Sequence, residues 1–249
     1  MTRSVSIDGA RQLVTNLTDA LLDPLLSANP MGPRITFYDD ATGERIELST
    51  VTLANWAAKT ANLLRDELGA GPGTRVAVLL PAHWQTAAVL LGVWWIGAEV
   101  VCTGLADMAL CTGDRLAEAD EVAQGGEVSV LSLDPFGKPA DDLPVGVTDY
   151  ATAVRVHGDQ VTPERSPGPA LDGRDVDAVI DAARRSAQAL GLNAADRVMS
   201  MQPWSTPQQI VANLLAVFAS GASLVQVTNA DPALLDRRRM TEKVTRTLE

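Results

Sequence analysis

Residues 68–101 read LGAGPGTRVAVLLPAHWQTAAVLLGVWWIGAEVV, and this stretch decides the fold. A helix ends at its Leu-Gly pair, an apolar strand runs to the proline, an apolar helix follows, and a Gly-Ala pair opens another strand. Residues 190–227 repeat this order as LGLNAADRVMSMQPWSTPQQIVANLLAVFASGASLVQV, with six residues from arginine to proline in both copies. Self-similarity of this kind indicates two copies of one structural unit.

Each copy has the order αβαβ, which is typical of parallel strands joined by crossover helices. We therefore predict an α/β fold of two pseudo-repeated αβαβ units, with mainly parallel sheets flanked by helices. The predicted first half-domain covers residues 1–133, and the second covers residues 172–249. The connection at residues 134–171 contains six prolines and is predicted to be rich in loops. The two half-domains could also pack as one domain.

Composition narrows the class of protein. The chain has 249 residues, 46% of them apolar, and a mean hydropathy of +0.06, which favours a globular protein. A net charge of −11 argues against a nucleic-acid partner and against an anionic membrane surface. The N-terminus lacks the apolar core of a signal peptide, and the longest apolar run, residues 86–96, is too short to span a bilayer. We expect a cytoplasmic protein.

Metal and thiol chemistry has little support in the sequence. Cys102 and Cys111 are the only cysteines, and His83 and His157 are the only histidines. Neither pair has the spacing of a zinc site, and reduced thiols are expected in the cytoplasm. We predict no metal site. The arginines at residues 237–239 are interpreted as a solvated helix face.

The residues of the first half resemble the N-terminal part of the adenylate-forming superfamily, which contains acyl-CoA synthetases, adenylation domains of peptide synthetases and luciferases. The resemblance covers residues 35–101, with Thr-Gly-Glu at 42–44, Pro-Gly-Thr-Arg-Val-Ala at 72–77 and Ile-Gly-Ala at 96–98. Residues 190–198 and the Gly-Ala pair at 221–222 extend it into the second half. It implies the fold of the N-terminal domain of acyl-CoA synthetases.

The chain departs from that family where the family does chemistry. Relatives hold ATP phosphates in a loop rich in Ser, Thr and Gly that ends in Pro-Lys-Gly, just before the helix predicted here at residues 172–190. Residues 159–173 instead read DQVTPERSPGPALDG, with no lysine and no hydroxyl cluster. Arg165 and Arg174 are interpreted as exposed loop residues. The family's adenine, magnesium and ribose segments and its C-terminal domain with the catalytic lysine have no counterpart in the sequence. The resemblance therefore implies no catalytic residue and no ATP or AMP cofactor.

A ligand pocket is the part of the family site that this sequence could retain. The relatives carry an aromatic residue, and often a histidine, in the turn after the second-repeat strand. The matching positions are Gln202, Trp204 and Ser205, with Ser205 in the place of the histidine. Trp84 occupies nearly the same turn of the first repeat, beyond the carboxyl end of a strand, where α/β proteins bind ligands. Each tryptophan could wall an apolar pocket or pack in the core. His83 has no visible serine or aspartate partner, so no catalytic triad is predicted.

Three functional hypotheses follow. The first is a non-catalytic acyl-CoA-synthetase-like protein that acts as a binding or interaction module, as a homodimer or with a partner protein. The second is an AMP-forming ligase with degenerate activity, or one completed by a partner chain. The third is a small-molecule sensor that keeps a pocket for an apolar carboxylic acid, acyl or aryl. The altered loop at residues 159–173 favours the first and third hypotheses over the second.

Overall fold

The computed structural model describes residues 16–248, which form two five-stranded sheets and the helices around them. The strands are β1 (Pro33–Asp39), β2 (Glu44–Ser49), β3 (Arg75–Leu79), β4 (Glu99–Val101), β5 (Met108–Cys111), β6 (Glu127–Val130), β7 (Val147–Asp149), β8 (Arg197–Ser200), β9 (Ser223–Thr228) and β10 (Arg246–Leu248). The α-helices are α1 (Leu17–Ala28), α2 (Thr50–Asn62), α3 (Trp84–Trp95), α4 (Leu116–Ala123), α5 (Tyr150–Ala153), α6 (Val176–Ala189), α7 (Pro207–Ile210), α8 (Ala216–Ala219) and α9 (Pro232–Thr241). π-Helical turns extend α2 over Leu63–Glu67 and join α7 to α8 over Val211–Leu215.

Parallel pairing dominates both sheets, as predicted. One sheet has the order β4-β3-β5-β6-β7 and is parallel throughout; we call it the first-repeat sheet. The other has the order β10-β8-β9-β1-β2 and is parallel except for the β1–β2 hairpin; we call it the second-repeat sheet. The prediction of an α/β fold with mainly parallel sheets is confirmed.

Each repeat forms one βαβ crossover, and each lies in a different sheet. β3 pairs with β4 in the first-repeat sheet, and β8 pairs with β9 in the second-repeat sheet. The matched glycines that open β4 and β9, Gly97 and Gly221, have φ values of +73° and +85°. Side chains other than glycine rarely adopt this left-handed conformation, which explains why glycine recurs at this point of both copies.

The second-repeat sheet draws strands from both ends of the described chain. Strand β1 of the β1–β2 hairpin pairs in parallel with β9, so that Phe37 lies opposite Gln226. Strand β5 was not predicted from the sequence; all four of its residues are buried, and it lies between β3 and β6. It is too short and too uniformly buried to show the alternation that identifies a strand.

Helix α3 lies between the two sheets, in contact with β1 on one side and with β3 and β4 on the other. Every residue from Trp84 to Trp95 is buried, which matches its apolar sequence. The indole of Trp94 donates to the carbonyl of Ala170 at 2.7 Å, and that of Trp95 donates to Asp19 in α1 at 2.6 Å. Because α3 contacts strands of both sheets, its N-terminus carries the turn after β3 to the second-repeat sheet. Among residues 16–248, no helix is long and apolar enough to cross a bilayer.

Candidate functional site

A cleft of about 850 Å³ lies beyond the carboxyl ends of strands from both sheets. The turns after β3 and β6 form one side, and the β1–β2 turn with the residues after β9 forms the other. Ligands of α/β proteins bind beyond the carboxyl ends of parallel strands, because loops and helix N-termini converge there. The side chains of Phe37, Ile46 and Phe136 supply apolar surface, and the Phe136 side chain is exposed at this site.

Two buried polar atoms on the wall of this cleft have no hydrogen-bond partner. His83 is the N-cap of α3, and its Nδ1 accepts the N–H of Gln85 at 3.1 Å. An accepting Nδ1 places the ring proton on Nε2 in the neutral imidazole. Nε2 lies 3.8 Å from Oε1 of Glu44, too far for a hydrogen bond, and both atoms are buried and unpartnered. His83 itself is only 3% exposed.

The electrostatic surroundings keep this imidazole neutral. Burial lowers the pKa of His83 from its ordinary value, against the opposing influence of Glu44 and Asp39. The edge of the Phe37 ring contacts the imidazole, with the ring centroids 4.2 Å apart. A neutral Nε2–H beside a carboxylate oxygen offers one donor and one acceptor. A ligand hydroxyl that accepts from the first and donates to the second would satisfy both groups.

The charges around the cleft disfavour a carboxylate ligand. Its lining includes the carboxylates of Asp39, Glu44 and Asp134 and one guanidinium, that of Arg45. Arg45 is already bound to Glu242, with Nη2 at 2.9 Å from Oε1. A neutral or cationic polar group is therefore a better match than an anion.

The structure buries Trp84 and Trp204, two of the residues predicted as a ligand site, and leaves Gln202 half-buried and Ser205 exposed. Trp84 is 4% exposed, packs edge-on against Trp56 with ring centroids 5.5 Å apart, and lines a separate pocket of about 110 Å³. Trp204 is 3% exposed and belongs to the same apolar cluster. The carbonyl of Gln202 accepts from the side chain of Gln226 at 3.2 Å, and Ser205 is exposed. Trp84 and Trp204 keep buried indole N–H groups without partners.

His83 and Glu44 were not selected as site residues from the sequence. His83 was considered only for a triad, and Glu44 only as part of the Thr-Gly-Glu turn. Within residues 16–248 no hydroxyl or thiol hydrogen-bonds to Nε2 of His83, so no nucleophile accompanies it. Burial also raises the pKa of Cys102 to about 12 and that of Cys111 to about 11, so both thiols stay protonated. No described group of three histidine, cysteine or carboxylate side chains forms a metal site.

The segment before α6, where the resemblance places a phosphate loop, lies along the edge of β4. Leu171 forms a parallel bridge with Val100, and Ala170 accepts from Trp94. Every non-proline N–H group of residues 164–174 donates to an acceptor within the chain. The acceptors are the carbonyls of Trp95, Gly97, Val100, Leu171 and Arg174 and the carboxylates of Glu99 and Glu164.

Replacing His83 with asparagine is expected to remove one pH-dependent contribution to stability. The unfolded state binds a proton near the ordinary pKa of 6.5, whereas the folded state resists it, so wild-type stability falls as the pH drops below that value. The slope contributed by one such group is at most about 1.4 kcal/mol per pH unit. Asparagine keeps the helix cap but does not titrate. Urea unfolding of both proteins between pH 7.5 and 5 measures the difference; parallel stability profiles would contradict a buried neutral His83.

Comparisons with known proteins agree on the fold. A Mycobacterium tuberculosis protein described as a TIGR03089 family protein is 68% identical over 239 residues, covering 94% of this chain and 98% of that protein. No family model matches the sequence. An acyl-CoA synthetase from Brucella canis superposes with a TM-score of 0.79 at 17% identity, over 96% of this chain and 48% of that one.

Two further ligase structures are similar. The anthranilate CoA ligase AuaEII, in complex with anthranoyl-AMP, has a TM-score of 0.66 at 16% identity, over 86% of this chain and 45% of that one. A mutant form of coronafacic acid ligase from Pectobacterium brasiliense has a TM-score of 0.72 at 11% identity, over 93% of this chain and 49% of that one. The chain thus has the acyl-CoA synthetase N-terminal fold and spans about half the length of the ligases it matches. The predicted fold resemblance is confirmed.

Proposed function

The chain belongs to the TIGR03089 family, and from that premise we propose that it is a non-catalytic, ligand-binding protein built on the acyl-CoA synthetase fold. Segment 164–174 carries the proposal. Phosphate loops bind anions through backbone N–H groups that are free to point at the ligand. In this segment each non-proline N–H group already has an acceptor within the chain.

Two of these N–H groups share one carboxylate, that of Glu164. Oε1 of Glu164 accepts the N–H groups of Arg165 at 2.9 Å and Ser166 at 2.7 Å. A bound phosphate would have to displace this negative group and break backbone bonds that hold the segment on β4. It would gain no lysine in return, since residues 159–173 contain none. Without that lysine, this segment does not offer the transition state of adenylate formation the positioned charge that would stabilise it.

The ligand site that we propose is the cleft at His83 and Glu44. Its apolar walls and its unpartnered donor and acceptor suit a ligand with an apolar body and a hydroxyl or amino group. The three carboxylates of the lining make such an alcohol or amine a better match than the apolar carboxylic acid that the resemblance implies. A sensor or binding role needs only such a site, whereas a ligase also needs bound nucleotide.

ATP–pyrophosphate exchange with a panel of carboxylic acids tests the proposal. We expect no exchange above background for this chain, with Brucella canis acyl-CoA synthetase as the positive control. ATP and AMP are expected to leave the melting temperature unchanged, because a ligand that does not bind the folded state cannot stabilise it. Apolar alcohols or amines should raise it, and His83→Asn or Glu44→Gln should reduce that rise. Robust exchange by this chain would overturn the proposal and favour a ligase with residual activity.

A further inference from the structure

A second concave surface lies at the opposite end of the second-repeat sheet, near the amino ends of β8 and β9. It has a volume of about 620 Å³ and is bordered by α1, α6 and α8; we call it the Arg34 groove. Buried side chains from these helices make its floor apolar: Leu21, Leu25, Ile180 and Phe218. The groove is separate from the His83 cleft and shares no lining residue with it.

Arg34 is a buried cation at the base of this groove and has no carboxylate partner. It is 4% exposed, and no described acidic side chain lies within ion-pair distance of it. Nε donates to Thr50 at 3.2 Å, and Nη1 donates to the carbonyls of Gly221 and Ala222 at 2.9 and 2.6 Å. Nη2 donates to no described acceptor, which leaves two N–H bonds available at the groove. Burial lowers the pKa of Arg34, yet a guanidinium stays charged at neutral pH.

The other charged residues of the groove do not neutralise Arg34. Arg184 and Lys243 are exposed at its rim and form no ion pair with a described residue. The carboxylate of Asp196 is occupied by hydrogen bonds from Asn193 and Thr245. A chain with a net charge of −11 therefore has a local positive surface above an apolar floor.

We propose that the Arg34 groove binds an amphiphilic anion, with the anionic head on Nη2 of Arg34 and an alkyl tail against the floor formed by α1, α6 and α8. A buried guanidinium that already donates to neutral carbonyls gains a charge-assisted bond when an oxyanion arrives. The tail adds the burial of apolar surface. Neither an inorganic anion nor an uncharged alkyl chain satisfies both parts of the groove. The ligand class is independent of the function proposed for the His83 cleft.

Isothermal titration calorimetry with decanoate and decyl phosphate tests this site, with inorganic phosphate as the head-only control and methyl decanoate, which has neither a charge nor a hydroxyl or amino group, as the tail-only control. We expect at least one of the amphiphilic anions to bind about tenfold or more tightly than methyl decanoate. Preference for decanoate indicates a fatty-acid type of ligand, and preference for decyl phosphate indicates a phospholipid type. Arg34→Gln, which removes the charge, should weaken binding about tenfold.

A second variant keeps Arg34 and its hydrogen bonds. Ala195 lines the groove and is exposed, so Ala195→Trp should narrow the groove and weaken binding without unfolding the chain. His83→Asn, in the other cleft, should leave binding unchanged. Methyl decanoate binding as tightly as both anions would overturn the proposal. Binding to Ala195→Trp that matches the wild type would also overturn it, even if Arg34→Gln fails to fold.

Discussion

Replacing Glu242 with glutamine is expected to lower the free energy of unfolding by about 3 kcal/mol. The Glu242 side chain is 4% exposed and accepts from Tyr38, Arg45 and Arg197. Glutamine keeps the shape but removes the charge, which leaves two guanidiniums facing a neutral amide. Removing one partner of a buried ion pair costs about 3–5 kcal/mol, and the partial exposure of Arg45 places this variant at the lower end.

The pH dependence gives this prediction a second measurement. Burial alone would raise the pKa of Glu242, but hydrogen bonds from Tyr38, Arg197 and Arg45 hold it below its ordinary value of 4.5. The stabilisation is therefore present above pH 4.5 and is lost as the pH falls through the lower, folded-state pKa. Glu242→Gln should flatten the stability profile in that acidic range.

An exposed ion pair provides the matched control for Glu242. Asp236 pairs with Arg239 at 2.7 Å within α9, the helix that Glu242 directly follows, and its side chain is 90% exposed. Asp236→Asn should change the free energy of unfolding by less than about 0.5 kcal/mol. Urea unfolding measures both variants. Equal losses in the free energy of unfolding would show that Glu242 does not hold α9 and β10 on the second-repeat sheet.

The interpretation of one arginine near Glu242 was wrong. The arginines at residues 237–239 were interpreted as a solvated face, but the Arg238 side chain is 12% exposed, pairs with Asp40, and lies 3.9 Å from the centroid of the Tyr38 ring. Its partners come from the N-terminal hairpin, about two hundred positions earlier in the chain. A run of charged residues is solvated only when no distant part of the chain packs against it. The local sequence does not show whether such packing occurs.

Local sequence signals predicted the repeated units of the fold, but they did not predict which distant strands pair. The matched glycines Gly97 and Gly221 act within a few residues, and both have the left-handed conformation that favours glycine at the start of β4 and β9. The placement of the β1–β2 hairpin beside β9 depends instead on contacts between the two ends of the chain. The spacing of residues 33–49 does not specify that β1 pairs with β9.

The same limit applies to the candidate site. His83 and Glu44 are separated by 38 residues of sequence, and neither residue type nor spacing links them. Strand alternation does place Glu44 on the same face of the hairpin as Phe37, through the pairs Asp39–Glu44 and Phe37–Ile46. Only the position of α3 between the sheets brings the histidine to that face. Trp84 and Trp204 are of a residue type that both walls pockets and fills cores, and the structure buries both side chains.

For the non-catalytic function that we propose, the occupied segment 164–174 is a stronger argument than the missing lysine. A lysine could be added by one substitution, whereas freeing the N–H groups of Asp172 and Gly173 requires the segment to leave β4. Its attachment is distributed over backbone bonds to α3, β4 and the turn between them. The same contacts complete the sheet edge and occupy the amides, so the loss of the phosphate site that we propose is coupled to the scaffold.

Replacing Trp94 with alanine is expected to lower the free energy of unfolding by about 3–5 kcal/mol, because the indole is 1% exposed and its loss leaves a cavity. Trp94→Phe keeps most of the volume but removes the N–H donated to Ala170, at a cost of about 1–2 kcal/mol. The carbonyl of Ala170 retains one bond, from the N–H of Val100 at 3.0 Å. The phenylalanine variant should therefore fold with segment 164–174 loosened.

Hydrogen exchange distinguishes this local effect from general destabilisation. In Trp94→Phe the amides of residues 164–174 should exchange faster relative to those of the second-repeat sheet. Trp95→Phe is the matched control, since its lost partner is Asp19 in α1 and its effect should fall on that helix. Uniform acceleration across the chain in Trp94→Phe would mean that the segment is held by the fold as a whole. Selective acceleration without any gain in ATP affinity would mean that freeing the amides is insufficient, because the segment also lacks the lysine of a phosphate loop.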